Sequence, residues 1–226
     1  MKKHSPLVTN GLSIAFGLLF LASLIGQAFS GLAYFNEQQM SNNLEEISFG
    51  QYITSSNFAV DVTENWQSEY LQFLLFIVLT VWLVQKGSPE SKDLDKIGTE
   101  SDQDQLLGAH AKPESPEWAK AGGLKTKVYA NSLGLVMGTV FLLSWLAQSI
   151  AGFSAYASEQ LANLQDPGSW VEYLGSSEFW NRTLQNWQSE FLAVWSMVVL
   201  SVYLRQRGSP ESKPVGASHE ETNVEG

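Results

Sequence analysis

Cysteine is absent from the 226-residue chain, which excludes a disulfide framework, a thiolate metal site and a cysteine nucleophile. Histidine is nearly so. His4, His110 and His219 all fall in terminal or linker segments, so no helical bundle built from the apolar blocks holds a haem or metal ion through histidine. Basic residues are also scarce, 13 against 23 acidic, and the formal charge of −10 argues against nucleic acid as a partner. The chain has no phosphate-binding glycine loop, no Gly-x-Ser-x-Gly elbow and no His-Glu-x-x-His. The expectation is a protein without enzymatic activity, cofactor or metal.

What is present is a duplication. Asn65-Trp66-Gln67-Ser68-Glu69-Tyr70-Leu71 returns as Asn186-Trp187-Gln188-Ser189-Glu190-Phe191-Leu192, displaced by 121 positions. Gly87-Ser88-Pro89-Glu90-Ser91-Lys92 returns as Gly208-Ser209-Pro210-Glu211-Ser212-Lys213 at the same offset. The repeat covers residues 6–92 and 127–213, and two halves this alike share one architecture.

The mean hydropathy of −0.07 averages four apolar blocks against polar connections. Blocks at 11–35 and 132–156 exceed the ~20 residues a helix needs to cross hydrocarbon. The apolar runs at 70–84 and 191–204 are shorter; roughly fifteen residues at ~1.5 Å each fall short of ~30 Å. Extending them back to Trp66 and Trp187 gives spans at 66–85 and 187–205 with an indole at headgroup level. Lys2, Lys3 and the small residues Ala28-Phe29-Ser30-Gly31 imitate a signal peptide, but the internal copy at 132–156 argues for a retained span.

Lysine and arginine fall before span one, between spans two and three, or after span four. The segments between spans one and two, and three and four, hold Arg182 alone. The positive-inside rule therefore places both termini and the central linker in the cytoplasm. The reading is an all-α integral membrane four-helix bundle made of two parallel, tandem-repeated helical hairpins. It comprises a first repeat at 1–92, a flexible cytoplasmic linker at 93–126, a second repeat at 127–213 and a disordered tail at 214–226. In each outer connection Phe49 and Tyr52, or Trp170 and Tyr173, precede Ser55-Ser56 or Ser176-Ser177, which suits a short interfacial helix followed by a serine N-cap.

Three sets of residues stand out. At 100° per residue Ser13, Gly17, Gln27 and Gly31 share a stripe that Gly134, Gly138, Gln148 and Gly152 repeat. That is a small-x-x-x-small packing face with one polar fastener. The second helices carry Asp61, Asn65, Ser68, Glu69 and Gln72, and Arg182, Asn186, Ser189 and Glu190. Glu69 and Glu190, with Gln27, Gln148, Asn65 and Asn186, form either an ion-handling cluster or the wet outer edge of the membrane. Asp61 and Arg182 are equivalent positions of opposite charge and could bind the halves as an ion pair worth ~0–1 kcal/mol. After Lys86 and Arg207, Gly-Ser-Pro stops each helix, whereas the repetition of Glu-Ser-Lys leaves room for a small docking surface.

On its Asn-Trp-Gln-Ser-Glu-Phe/Tyr-Leu and Lys/Arg-Gly-Ser-Pro-Glu-Ser-Lys segments the chain resembles an uncharacterised family of bacterial integral membrane proteins, known only as a domain of unknown function. The resemblance implies a bacterial four-span protein of the plasma membrane and carries no functional residue. Two expectations follow. One is a non-enzymatic assembly or scaffold protein, partnered by the lipid bilayer and by a second copy or a cytoplasmic protein. The other is a small proton or cation channel or transporter using Glu69 and Glu190, with Gln27 and Gln148 lining the route.

Overall fold

The computed structural model describes residues 9–224; Lys2, Lys3 and His4, with the basic flank used for orientation, lie outside them. Among the described residues the chain is all-α, with no strand. The helices are α1 (Gly11–Ser41), α2 (Phe49–Ile53), α3 (Ser56–Leu79), α4 (Glu117–Lys120), α5 (Gly123–Ala130), α6 (Ser132–Ala162), α7 (Trp170–Leu174) and α8 (Ser177–Tyr203). Short 3-10 turns occupy Leu94–Lys96 and Gly108–His110.

Two helices, α1 and α6, are long and apolar enough to cross a membrane, with mean hydropathies of 2.0 and 1.7 over their most apolar stretches. Only 6% and 22% of those stretches are buried by protein. Apolar helices of a water-soluble core would be covered, so this much exposed apolar surface suggests membrane association. Of the four spans expected from the sequence, two meet this test of length and composition. The physical reason lies in the second helices. Glu64, Asn65, Gln67, Ser68 and Glu69 break the apolar run of α3, as Arg182, Asn186, Gln188, Ser189 and Glu190 break that of α8.

Boundaries shift for a related reason. Each second helix begins well before its tryptophan, where Ser55 Oγ accepts from the Phe58 N–H (3.3 Å) and Ser176 Oγ from the Phe179 N–H (3.2 Å). A serine that satisfies an orphan N–H fixes a helix start whatever the hydropathy beyond it.

The fold divides into two compact units. The first joins residues up to 62 with 150–168. In it Ser48 and Gln51 form a capping box at the start of α2. Asn36 grips the backbone of Ile47 through both its amide atoms, at 2.9 and 3.0 Å. Tyr52 is buried between Phe35 and Phe58, and a Cβ on Gly31 would overlap its hydroxyl. Gly31 was read as a helix-packing residue; what it admits is a tyrosine side chain, not a second backbone.

The second unit joins 63–149 with 169–226. Here α6 runs antiparallel to α3, with Gly134 against Val78 (4.0 Å) and Gly138 against both Leu74 methyls (3.6 Å). Ser169 and Glu172 repeat the capping box, and Tyr173 is buried against Phe179. The segments expected to be a flexible linker and a disordered tail carry local structure. Thr126 Oγ1 donates to the Trp118 carbonyl (2.7 Å) between α4 and α5, and Lys213 gathers carbonyls from residues 218–221.

Candidate functional site

The residues singled out in the second helices meet on one seam between α3 and α8, inside the second unit. Trp187 Nε1–H donates to Gln67 Oε1 (2.8 Å), and Gln67 Nε2 donates to the Glu64 carbonyl (3.1 Å). Gln67 is wholly buried, so this amide is satisfied at both ends where an orphan would cost about 1–3 kcal/mol. Arg182 Nη1 lies 3.4 Å from Glu64 Oε2. Contacts 64–182 and 67–187 advance together along both helices, so α3 and α8 are parallel and in near register. Equivalent residues therefore face one another, and Glu69 and Glu190 lie close enough to feel each other's charge.

Glu69 is exposed and Glu190 half-buried, so the pair is not sealed between helices. Gln148 is buried; its Nε2 donates to Thr183 Oγ1 (3.4 Å), while Oε1 has no protein partner among the described residues. Asn186 Nδ2 returns to the Arg182 carbonyl (2.9 Å), Asn65 is exposed, and Gln27 belongs to the first unit, half-buried. Arg182 has a carboxylate beside it at Glu64, and Asp61 belongs to the first unit. Asp61 lies near Tyr52, whose hydroxyl pKa is raised first by burial and then by that carboxylate.

Gln67, Glu64, Thr183 and Trp145 escaped the sequence reading. Trp145 packs its ring near Phe141, Phe179, Trp180 and Trp187 at 5.6 to 6.3 Å, and its Nε1 is buried without a protein partner among the described residues. Gln67 sits inside the repeated Asn-Trp-Gln-Ser-Glu motif, which was the available signal. The parallel pair buries Gln67 and Ser68 while Asn65 and Glu69 stay exposed, and a single-helix projection cannot show that.

Below the seam the two Gln-Lys/Arg-Gly-Ser-Pro-Glu-Ser-Lys segments form the same loop. The glycine takes a positive φ, +86° at Gly87 and +79° at Gly208. Ser88 and Ser209 accept from the N–H of Glu90 and Glu211, both at 3.2 Å. Ser91 and Ser212 accept from the N–H of Gln85 (2.8 Å) and Gln206 (2.9 Å). Lys92 Nζ donates to the Gly98 carbonyl (3.0 Å) and Lys213 Nζ to the equivalent His219 carbonyl (3.2 Å). These bonds account for the repeated serines and lysine as loop closure; the first copy is mostly buried, whereas Gly208, Pro210 and Glu211 of the second are exposed.

The residues after the second loop then return to the first. Lys86 pairs with Glu220 (2.9 Å), the Gly87 N–H donates to Thr222 Oγ1 (2.9 Å), and the Asn223 N–H donates to the Ser88 carbonyl (3.3 Å). Lys86 holds the Glu220 carboxyl below its usual range, by the hydrogen bond first and by charge second. Burial pushes the Lys213 ammonium down, and Arg205 adds to this.

Fold and seam together define a duplicated all-α protein with two apolar helices of membrane-crossing length, joined through its paired second helices. The chain belongs to the family described as Domain of unknown function (DUF6766), which it matches over residues 3–224. No curated protein and no solved structure matches it.

Proposed function

We propose that the protein is a four-span integral membrane protein of the bacterial plasma membrane, with both termini and the linker cytoplasmic, whose role is assembly and not catalysis. The observation that carries this reading is how unevenly the apolar surface is used. The repeated motifs are spent on internal closure, while α1 keeps Phe16, Leu19 and Phe20 exposed around Gly17, beside which its own unit leaves open space. In the second copy the equivalent Gly138 is occupied by Leu74. A free small-x-x-x-small face on an apolar helix suits a second copy of the chain within the bilayer. Within α3 and α8 the polar residues Gln67, Ser68 and Thr183 are buried by protein, which makes the modest hydropathy of these helices compatible with a span.

Subunit counting by single-molecule photobleaching in nanodiscs tests it. Two or more copies per disc in the native protein, reduced to one by Gly17→Leu, is the expected result; one copy at every protein-to-lipid ratio overturns self-assembly. The nearness of Glu69 and Glu190 favours a second reading, cation passage along the seam. It requires proton or monovalent-cation flux in proteoliposomes that Glu69→Gln with Glu190→Gln abolishes.

A further inference from the structure

Charge changes abruptly in the middle of the chain. The linker up to Glu117 is rich in aspartate and glutamate, but from Trp118 to Ser158 no residue is acidic, and the only charges there are Lys120, Lys125 and Lys127. Lys120 is paired with Glu117 at 3.1 Å. Lys125 and Lys127 are exposed, and neither has an ion-pair partner among the described residues. Both belong to α5, which Asn131 alone separates from the apolar α6.

The two sides of α5 are used differently. At 100° per residue Leu124 and Val128 fall about 40° apart, Lys127 and Lys125 flank that stripe at about 60° on either side, and Thr126 lies opposite. The Thr126 side faces protein. Its Oγ1 donates to the Trp118 carbonyl (2.7 Å), which ties α5 to α4, and Tyr129 and Ala130 line a cavity with Leu107 and Ala119. On the other side Leu124 and Val128 are left uncovered, 76% and 39% exposed.

An apolar stripe bordered by two lysines suits a boundary between hydrocarbon and water. Leucine and valine can enter the acyl chains while the lysine stems lie along them and hold their ammonium groups at the level of the lipid phosphates. The place of α5 at the foot of α6 supplies that boundary, because α6 has the length and hydropathy of a span. Charge then selects the lipid. An anionic leaflet attracts two unpaired lysines, and no carboxylate in α5 or along α6 as far as Ser158 opposes them.

We propose that α5 is an interfacial helix that seats Leu124 and Val128 in the bilayer surface and binds anionic phospholipid headgroups through Lys125 and Lys127. This rests on α6 crossing the membrane and is independent of self-assembly.

Because the chain has no cysteine, single cysteines at Leu124, Val128 and Leu142 can each carry a nitroxide label on the full-length protein. Leu142 lies on the exposed surface of α6 and reports the membrane reading separately. Depth is read from collisions with oxygen against a water-soluble nickel complex, in nanodiscs of phosphatidylcholine with and without phosphatidylglycerol. With phosphatidylglycerol the labels at 124 and 128 should lie below the phosphates, and Lys125→Gln with Lys127→Gln should return both to the aqueous side. Spin-labelled phosphatidylglycerol should associate with the unlabelled native protein roughly threefold more strongly than spin-labelled phosphatidylcholine, and the double variant should lower that ratio to about half or less. An unchanged thermal transition checks that the variant folds. Labels at 124 and 128 in water, with the label at 142 in hydrocarbon, overturn the proposal while leaving the membrane reading intact, and give the face to a protein partner. Unchanged depth and unchanged lipid preference in the double variant overturn it through the lysines. A label at 142 in water overturns the membrane reading and the proposal with it.

Discussion

The two Gly-Ser-Pro-Glu-Ser-Lys loops have the same sequence and the same internal hydrogen bonds, yet they carry different loads. Around Gly87 the later chain packs so closely that a Cβ would overlap the His219 carbonyl and lie 3.0 Å from Val202 Cγ1; around Gly208 no atom lies within 4 Å among the described residues. Lys213 is 1% exposed and donates to the carbonyls of Ser218, His219 and Glu221, whereas Lys92 is half-buried and shares its charge with Glu100 at 3.3 Å. Even the atom that closes onto the preceding helix differs. In the first copy the Gly98 N–H donates to the Val81 carbonyl (2.8 Å), and in the second His219 Nδ1 meets the equivalent Val202 carbonyl (3.0 Å). Duplication supplies a loop that folds by local bonds, and each copy is then fixed by whatever chain follows it.

The sharpest way to break this comparison is to put a methyl group on each glycine. Gly87→Ala should cost about 3–4 kcal/mol, combining ~1–2 for the left-handed backbone with ~1–3 for overlap against a carbonyl that cannot move freely. Gly208→Ala should cost only the first part, about 1 kcal/mol. Thermal unfolding in detergent reads both, and equal shifts would mean that the tail does not clamp the first loop.

Next in size is the lysine pair. Lys213→Met strands three carbonyls and should cost about 2–3 kcal/mol, while Lys92→Met, in a more open setting, should cost about 1 kcal/mol or less. Denaturant titration of the two variants sharpens the contrast; the reverse order would show that the second loop's cage is dispensable.

The seam offers a third pair. Gln67→Leu leaves the Trp187 indole N–H without its acceptor and should cost about 1–2 kcal/mol, whereas Gln188→Leu at the exposed equivalent position should stay within about 0.5 kcal/mol. A double-mutant cycle with Trp187→Phe should recover most of the Gln67→Leu loss; full additivity would remove the hydrogen bond as the cause.

The smallest effect is electrostatic. Glu220 is paired with Lys86, so its folded carboxyl titrates below the unfolded one, whose ordinary value is 4.5. Its contribution is present above that value and is lost as pH falls through the lowered folded one. Because both side chains are exposed, the change is small and weakens with salt. It should appear as faster hydrogen exchange at the Gly87 amide under acid, after correction for the intrinsic rate. Glu220→Gln should remove this pH dependence, and a native-like dependence in that variant would exclude the pair as its source.

Much of the architecture was legible because it depends on local chemistry. The offset of 121 positions, the serines at 55 and 176, and the buried tyrosines 52 and 173 all announce themselves in one dimension. The polar cluster was not. Gln67 and Glu64 lie beside the stripe that was read from Glu69, and only the parallel register of α3 against α8 turns them inward and brings Trp187 and Arg182 to them. The pairing of Arg182 with Glu64 is the same lesson, since helical periodicity gives the face of a residue and leaves its height against a neighbouring helix open.

By itself the sequence determined the duplication, the all-α class, the two apolar helices and the caps that start and stop them, because each rests on patterns within a few turns of chain. Tertiary structure decided which copy of each motif is buried, that Glu64 meets Arg182, and that Glu90 and Glu211 share one cavity. Those outcomes depend on the packing of segments more than a hundred residues apart, and no local propensity encodes the register at which they meet.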